Sequence, residues 1–164
     1  MVEQWHSEAM SDSSWFVAVG VEEIAGTETT TALASDFVGG ILVERGGQVC
    51  DAPGSVVGFV DAATAVEAAV VGQWTAQRAD PPLGVKVRIG IDSSEPGALA
   101  LLRAANGNQI LMSSAVDQAT GGMIDARPMG MVTLPGHDAP GSVWLSTDSR
   151  PDIDGRPPRL DHLQ

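Results

Sequence analysis

The cleanest pattern in the chain lies between residues 84 and 91, where Val85, Val87, Ile89 and Ile91 alternate with Lys86, Arg88 and Gly90. A period of two marks a strand with one face turned to a core. A second strand is expected at Phe16, Val17, Val19 and Val21, ending near Glu22-Glu23-Ile24. A threonine-rich turn follows, and then Leu33, Phe37, Val38, Ile41 and Leu42 recur at helical spacing. They predict an amphipathic helix with Thr27 as N-cap, running to about Arg45. Gly39-Gly40 inside it costs about 1 kcal/mol per glycine relative to alanine, which argues against an unbroken helix. Gly46-Gly47 supplies the stop.

Gln48-Val49-Cys50 and Val56-Val57-Gly58-Phe59-Val60 flank Asp51-Ala52-Pro53-Gly54. Proline followed by glycine is a strong turn signal, so this stretch predicts a β-hairpin. Asp61 then stands where a cap belongs, ahead of Ala62, Ala65, Val66, Ala69, Val70 and Trp74 on one helical face. That face is built of small residues and suits close packing on a sheet. Asp80-Pro81-Pro82 ends it. A short helix from Ala98 to Ala105, a strand from Gln109 to Met112 and a helix from Ser113 to Ala119 come next. Strands at Met131 to Leu134 and Val143 to Leu145 complete the pattern. Beyond Thr147 the polar, proline-rich sequence predicts disorder. The expected organisation is a lead-in over 1–14, one domain over 15–146 and a tail over 147–164.

Composition narrows the function classes. The 164 residues fit one domain. A net charge of −12, from 21 acids against 9 bases, argues against a broad grip on nucleic acid or an anionic membrane. Lys86 is the sole lysine. No apolar run approaches the length of a bilayer span, and Met1-Val2-Glu3-Gln4-Trp5-His6 lacks the order of a signal peptide. A cytoplasmic location is the expectation. One cysteine, Cys50, allows no intrachain disulfide and reads as a half-buried thiol. His6, His137 and His162 are too scattered to suggest a metal or a nucleophile partner. The tryptophans at 5, 15, 74 and 144 read as core and edge fillers.

The order strand, helix, hairpin, helix, strand is ferredoxin-like, an arrangement that serves many functions. Particular residues say more. Val21-Glu22-Glu23-Ile24-Ala25-Gly26-Thr27 is similar to the opening of class III adenylate and guanylate cyclase domains. Gly46-Gly47-Gln48-Val49 with Val56-Val57-Gly58-Phe59 resembles their hairpin, and the run from Asp61 resembles the helix after it. Val87-Arg88-Ile89-Gly90-Ile91-Asp92-Ser93-Ser94-Glu95 resembles the stretch V-R-I-G-I-H-S/T-G-E. Gly107-Asn108-Gln109-Ile110-Leu111-Met112-Ser113 resembles G-Q-I-L-V-S, and Leu134-Pro135-Gly136 with Val143-Trp144 resembles the closing L-K-G and strand. These matches run in the family's order over residues 15–146. They imply an α+β, ferredoxin-like nucleotide cyclase fold with a βαββαβ core and additional C-terminal strands and helix, in a degenerate and truncated member.

The family's reaction displaces pyrophosphate by the ribose 3′-hydroxyl of a nucleoside triphosphate, with two divalent ions held by carboxylates. The resemblance puts Glu23 at the first metal position, one methylene longer than the family's aspartate. The hairpin Gly-Asp-Gly falls on Ala52-Pro53-Gly54, leaving Asp51 as a displaced second ligand. Both carboxylates also read as ordinary solvated groups at a strand end and a turn. No lysine precedes the hairpin turn to read a purine. The asparagine and arginine that hold ribose and transition-state charge fall on Pro96 and Ala100, with Arg103 one turn away, and the connection from Glu95 to Leu101 is shorter than the family's. Losing one such charge stabiliser costs a factor of about 10²–10³ in rate. The expectation is therefore a non-catalytic domain with vestigial metal positions Glu23 and Asp51 and no catalytic residue. No resident cofactor is expected, with Mg or Mn only if activity survives. The alternative is a weakly active adenylate cyclase, alone or as half of a heterodimer.

Partners follow from the same resemblance: a homodimer, or a heterodimer with another cyclase domain. The apolar positions of 85–91, with Val56, Val57, Phe59 and Val60, exceed what two alanine-rich helices should cover. Uncovered sheet of that kind is expected to form an interface. The short 95–101 connection points to a pairing geometry unlike the family's.

Overall fold

The computed structural model describes residues 14–22, 28–50, 55–79, 85–134, 137–147 and 157–158. In chain order the elements are β1 (Trp15–Val21), α1 (Glu28–Glu44), β2 (Gln48–Val49), β3 (Ser55–Phe59), α2 (Ala62–Gln77) and β4 (Val87–Asp92). They continue as α3 (Glu95–Ala104), β5 (Ile110–Ser113), α4 (Ser114–Ala119), β6 (Ala126–Val132) and β7 (Gly141–Ser146). The strands form one sheet in the order β2-β3-β1-β4-β5-β7-β6. The first four follow the ferredoxin-like arrangement. β1 is antiparallel to β3 and β4, β4 is parallel to β5, and β7 joins β5 to β6 with antiparallel pairing on both sides.

Local chemistry accounts for the boundaries. Gly46, at φ 101°, takes the left-handed position that closes α1. Its N–H donates to Val43 O at 3.1 Å and that of Gly47 to Leu42 O at 3.0 Å, so the last carbonyls of the helix are satisfied. Gly39 and Gly40 do not interrupt α1, which runs through them. Asp61 caps α2 as its position in the sequence predicts, accepting from the Thr64 N–H and hydroxyl at 2.9 Å each. α3 begins three residues before the expected Ala98, because Ser94 caps it through the Gly97 N–H at 3.1 Å. Pro96 sits in its first turn, where a missing N–H breaks no bond. β6 starts at Ala126 and not at Met131; as an edge strand it tolerates Pro128, and a register shift follows between Pro128 and Met131.

The buried face of α1 is turned by one residue from the sequence expectation. Ala34, Val38 and Leu42 are fully buried, whereas Leu33 is 61% and Phe37 38% exposed. The reason lies on α2. Gly72 leaves room for close approach, and a Cβ built there would stand 3.1 Å from Val38 Cγ1. A branched valine fits that gap and a phenyl ring does not.

The sheet is covered on both sides, which corrects the expectation of an uncovered apolar face. On one side α1 and α2 bury Val17, Val57, Phe59, Ile89 and Ile91. On the other α3 lies flat over Ala18, Val56 and Gly90. Any Cβ at Gly90 would collide with the Ala98 carbonyl and the Leu102 nitrogen. Two residues, Ser93 and Ser94, separate β4 from α3. That short connection folds the helix straight back onto the strand it follows. Val60, beyond the end of β3, is the exception at 70% exposed.

Candidate functional site

Strand register gathers several polar groups at one end of the sheet. Val21, the last residue of β1, pairs with Val87, the first of β4, and Val19 pairs with Ser55 at the start of β3. The C-terminal end of β1, the flanks of the hairpin turn and the start of β4 therefore share that end. Glu22 N–H donates to Lys86 O at 2.9 Å, and Asn108 N–H to Val87 O at 2.8 Å. α3 connects two parallel strands, so it runs back and delivers its last turn to this same end.

The corner between α3 and β5 is built from buried amides. Gln109, fully buried, accepts through Oε1 from the Asn106 N–H at 2.8 Å and from Asn106 Nδ2 at 3.2 Å. Next to it Gly107 lets two charged side chains close in. A Cβ on Gly107 would stand 2.5 Å from Lys86 Cβ and 2.8 Å from Glu22 Oε2. The single lysine and the Glu22 carboxylate thus flank the same glycine. Lys86 belongs to this end, and its isolation in the composition, just ahead of a strict strand alternation, was the signal for it.

The opposite end of the sheet holds a second polar group. Asp92, at the end of β4, accepts from Ser113 Oγ at 2.5 Å and from Ser94 Oγ at 3.2 Å. Through them it ties together the starts of α3 and α4. A cleft of about 220 Å³ adjoins it, with Leu101, Val132 and Val143 on its apolar side and Ser114, Ser142 and His137 among its polar residues. Asp92 occupies the position of the histidine in the V-R-I-G-I-H stretch. Its bonds are those of a structural tie between two helix starts.

No protein-family profile and no curated protein sequence matches the chain. Solved structures do. Adenylate cyclases from Trypanosoma brucei, in their monomeric state, superpose with a TM-score of 0.69 at 16% identity, over 92% of this chain and 94% of theirs. An adenylate/guanylate cyclase/hydrolase from Silicibacter pomeroyi gives 0.64 at 20% identity, over 82% and 96%. The adenylyl cyclase CyaB from P. aeruginosa gives 0.61 at 17% identity, over 85% and 96%. This is the fold of a class III nucleotide cyclase catalytic domain. Identities at this level speak to the fold alone.

The cyclase-fold domain sets the expected site residues in different places. Glu23, Asp51 and the aligned Pro53 lie outside the described residues, although their neighbours Glu22, Cys50 and Ser55 frame the same sheet end. Among the described residues, no group of three or more His, Cys, Asp or Glu stands close enough to hold a metal ion. Pro96 is exposed at the start of α3, away from the Glu22 end. Ala100 is buried at 2% exposure against the sheet. Arg103 is exposed in the last turn of α3. On β2, Gln48 and Val49 are exposed and neither supplies a cation. Cys50 is more buried than expected, with its thiol 3.9 Å from Gln48 O. Trp74 is 43% exposed, with the Arg78 guanidinium 4.8 Å above its ring. No helix among the described residues is long and apolar enough to cross a membrane.

Proposed function

We propose that the chain is a catalytically degenerate nucleotide cyclase homology domain that acts by association in cyclic nucleotide signalling. The observation that carries this reading is Ala100. The position aligned with the family's transition-state arginine is a methyl group pressed into the core beneath α3. No rotamer or loop movement brings a charge from there to a phosphate, and the cyclase fold around it is intact. A preorganised cation is worth a factor of about 10²–10³ in rate. Its loss, together with the aspartate replaced by Pro53 and the missing purine lysine, leaves a scaffold without the chemistry.

Association is the function that the scaffold still supports. With the central strands covered on both faces, the exposed helix faces are the surfaces this reading assigns to pairing. Leu33, Phe37 and Gly40 share an exposed face of α1, and no atom lies within 4 Å of a Cβ built at Gly40. An apolar stripe with a notch in it suits a second domain of the same fold. Measuring product formation by an active cyclase domain, with and without an excess of this chain, tests the regulatory reading. Unchanged output and no complex would count against it. The runner-up is a weakly active, Mg- or Mn-dependent adenylate cyclase, and the convergence of Lys86 and the Glu22 carboxylate at the end of β1 favours it.

A further inference from the structure

The β6–β7 hairpin outruns the strand beside it, and the overhang leaves a space. β5 ends at Ser113, which pairs with Val143. β7 begins earlier, at Gly141, which pairs with Val132 on β6. After Ser113 the chain turns into α4, so Gly141 and Ser142 have no strand on the β5 side. The gap is the cleft of about 220 Å³ beside Asp92, with Leu101 of α3, Val132 and Val143 as its apolar wall. Pockets for drug-sized ligands run to about 300–1,000 Å³. This one suits a single ring with a short arm.

The polar end of the cleft selects the charge of its ligand. A carboxylate has about four lone-pair sites. Asp92 uses two, accepting from Ser113 Oγ at 2.5 Å and from Ser94 Oγ at 3.2 Å. Both partners are neutral hydroxyls. Among the described residues no lysine or arginine lines the cleft, and His137, the other titratable side chain there, is exposed. The net charge of −12 adds a field that draws cations towards the chain and turns anions away. An ammonium N–H on the free lone pairs of Asp92 makes a charge-assisted hydrogen bond, roughly twice as strong as a neutral one. We propose that this cleft is a binding site for a small apolar amine, with its cation on Asp92 and its body against Leu101, Val132 and Val143. It lies at the end of the sheet away from Glu22 and Lys86, so it holds whether or not the chain has cyclase chemistry.

The test titrates the full-length chain with phenethylamine and follows backbone amide peaks by NMR. Peaks of Ser113, Ser142 and Val143 should shift to saturation, while Gly107, at the other end of the sheet, stays in place. Phenethyl alcohol keeps the body without the charge, and methylamine keeps the charge without the body. Each should bind at least about tenfold more weakly, as one loses the charge-assisted bond and the other the apolar burial. Asp92→Asn should bring phenethylamine down to the affinity of the alcohol and leave the alcohol as in the parent. Ala139→Trp, at an exposed position on the rim, should abolish binding of both. The three ligands are compared on the parent chain, so the result stands even where a variant fails to fold. No saturable shift at these peaks overturns the site, as does an alcohol or methylamine that binds as well as phenethylamine. So does an amine preference that survives Asp92→Asn, or binding that survives Ala139→Trp.

Discussion

Replacing Gly90 by alanine asks whether the second face of the sheet is closed by α3. The new methyl would collide with the Ala98 carbonyl and the Leu102 nitrogen and approach Leu101 Cβ at 2.9 Å. Two of these are backbone atoms of a helix, which cannot move aside as a flexible side chain does. Overpacking of this kind costs about 1–3 kcal/mol. Alanine recovers about 0.5–1 kcal/mol through its lower chain entropy in a strand, so the net loss is about 0.5–2 kcal/mol. For a domain of this size, an unfolding entropy of about 2.1 cal/mol/K per residue makes that a fall of about 1.5–6 °C in Tm. The control is Gly39→Ala, in α1, where a Cβ meets nothing within 4 Å. It should gain about 0.5–1 kcal/mol. Urea unfolding followed by circular dichroism measures both, with the m-value unchanged. A Gly90→Ala protein as stable as the parent would refute the packing of α3 and return that sheet face to the list of possible interfaces.

Asp92→Ala should cost about 1–2 kcal/mol by removing the hydrogen bonds that the Ser113 and Ser94 hydroxyls donate to its carboxylate. A double-mutant cycle with Ser113→Ala in urea unfolding should show coupling, and strict additivity would deny the tie. Light scattering behind size exclusion should give a dimer at tens of micromolar, and Leu33→Glu with Phe37→Glu should return it to a monomer of 16.9 kDa. A monomeric parent that also fails to shift on adding a cyclase domain would remove the association reading. Calorimetry should find Mn²⁺ binding no tighter than about millimolar, as few carboxylates in a loose cage bind weakly. A micromolar constant would show a working metal site.

Much of the fold was legible because its signals are local and redundant. The alternation ending in Val87-Arg88-Ile89-Gly90-Ile91 matches β4, Asp61 with Thr64 announces the cap of α2, and Gly46-Gly47 stops α1 where the pattern says it should. What the sequence hid depends on contacts between distant residues. Nothing in the spacing of Leu33, Phe37 and Val38 says that Gly72, on another helix, lies against the valine. The burial of Gly90 under α3 needs the short Ser93-Ser94 connection to be seen in three dimensions. The disorder expected of the tail concerns residues that, apart from 157–158, lie outside the described ones, and the Pro157 carbonyl that accepts from Asn106 carries no sequence signature. The site positions come from the resemblance alone, and the burial of Ala100 became visible only in the packing of α3.

The central claim is a cyclase scaffold without cyclase chemistry, and one assay reaches it directly. Purified protein is incubated with ATP or GTP and Mn²⁺, and cyclic AMP and cyclic GMP are quantified by mass spectrometry against a buffer blank. The account predicts no product above the blank with either nucleotide. A Mn²⁺-dependent signal that disappears in Glu23→Ala would contradict it and establish the chain as an enzyme.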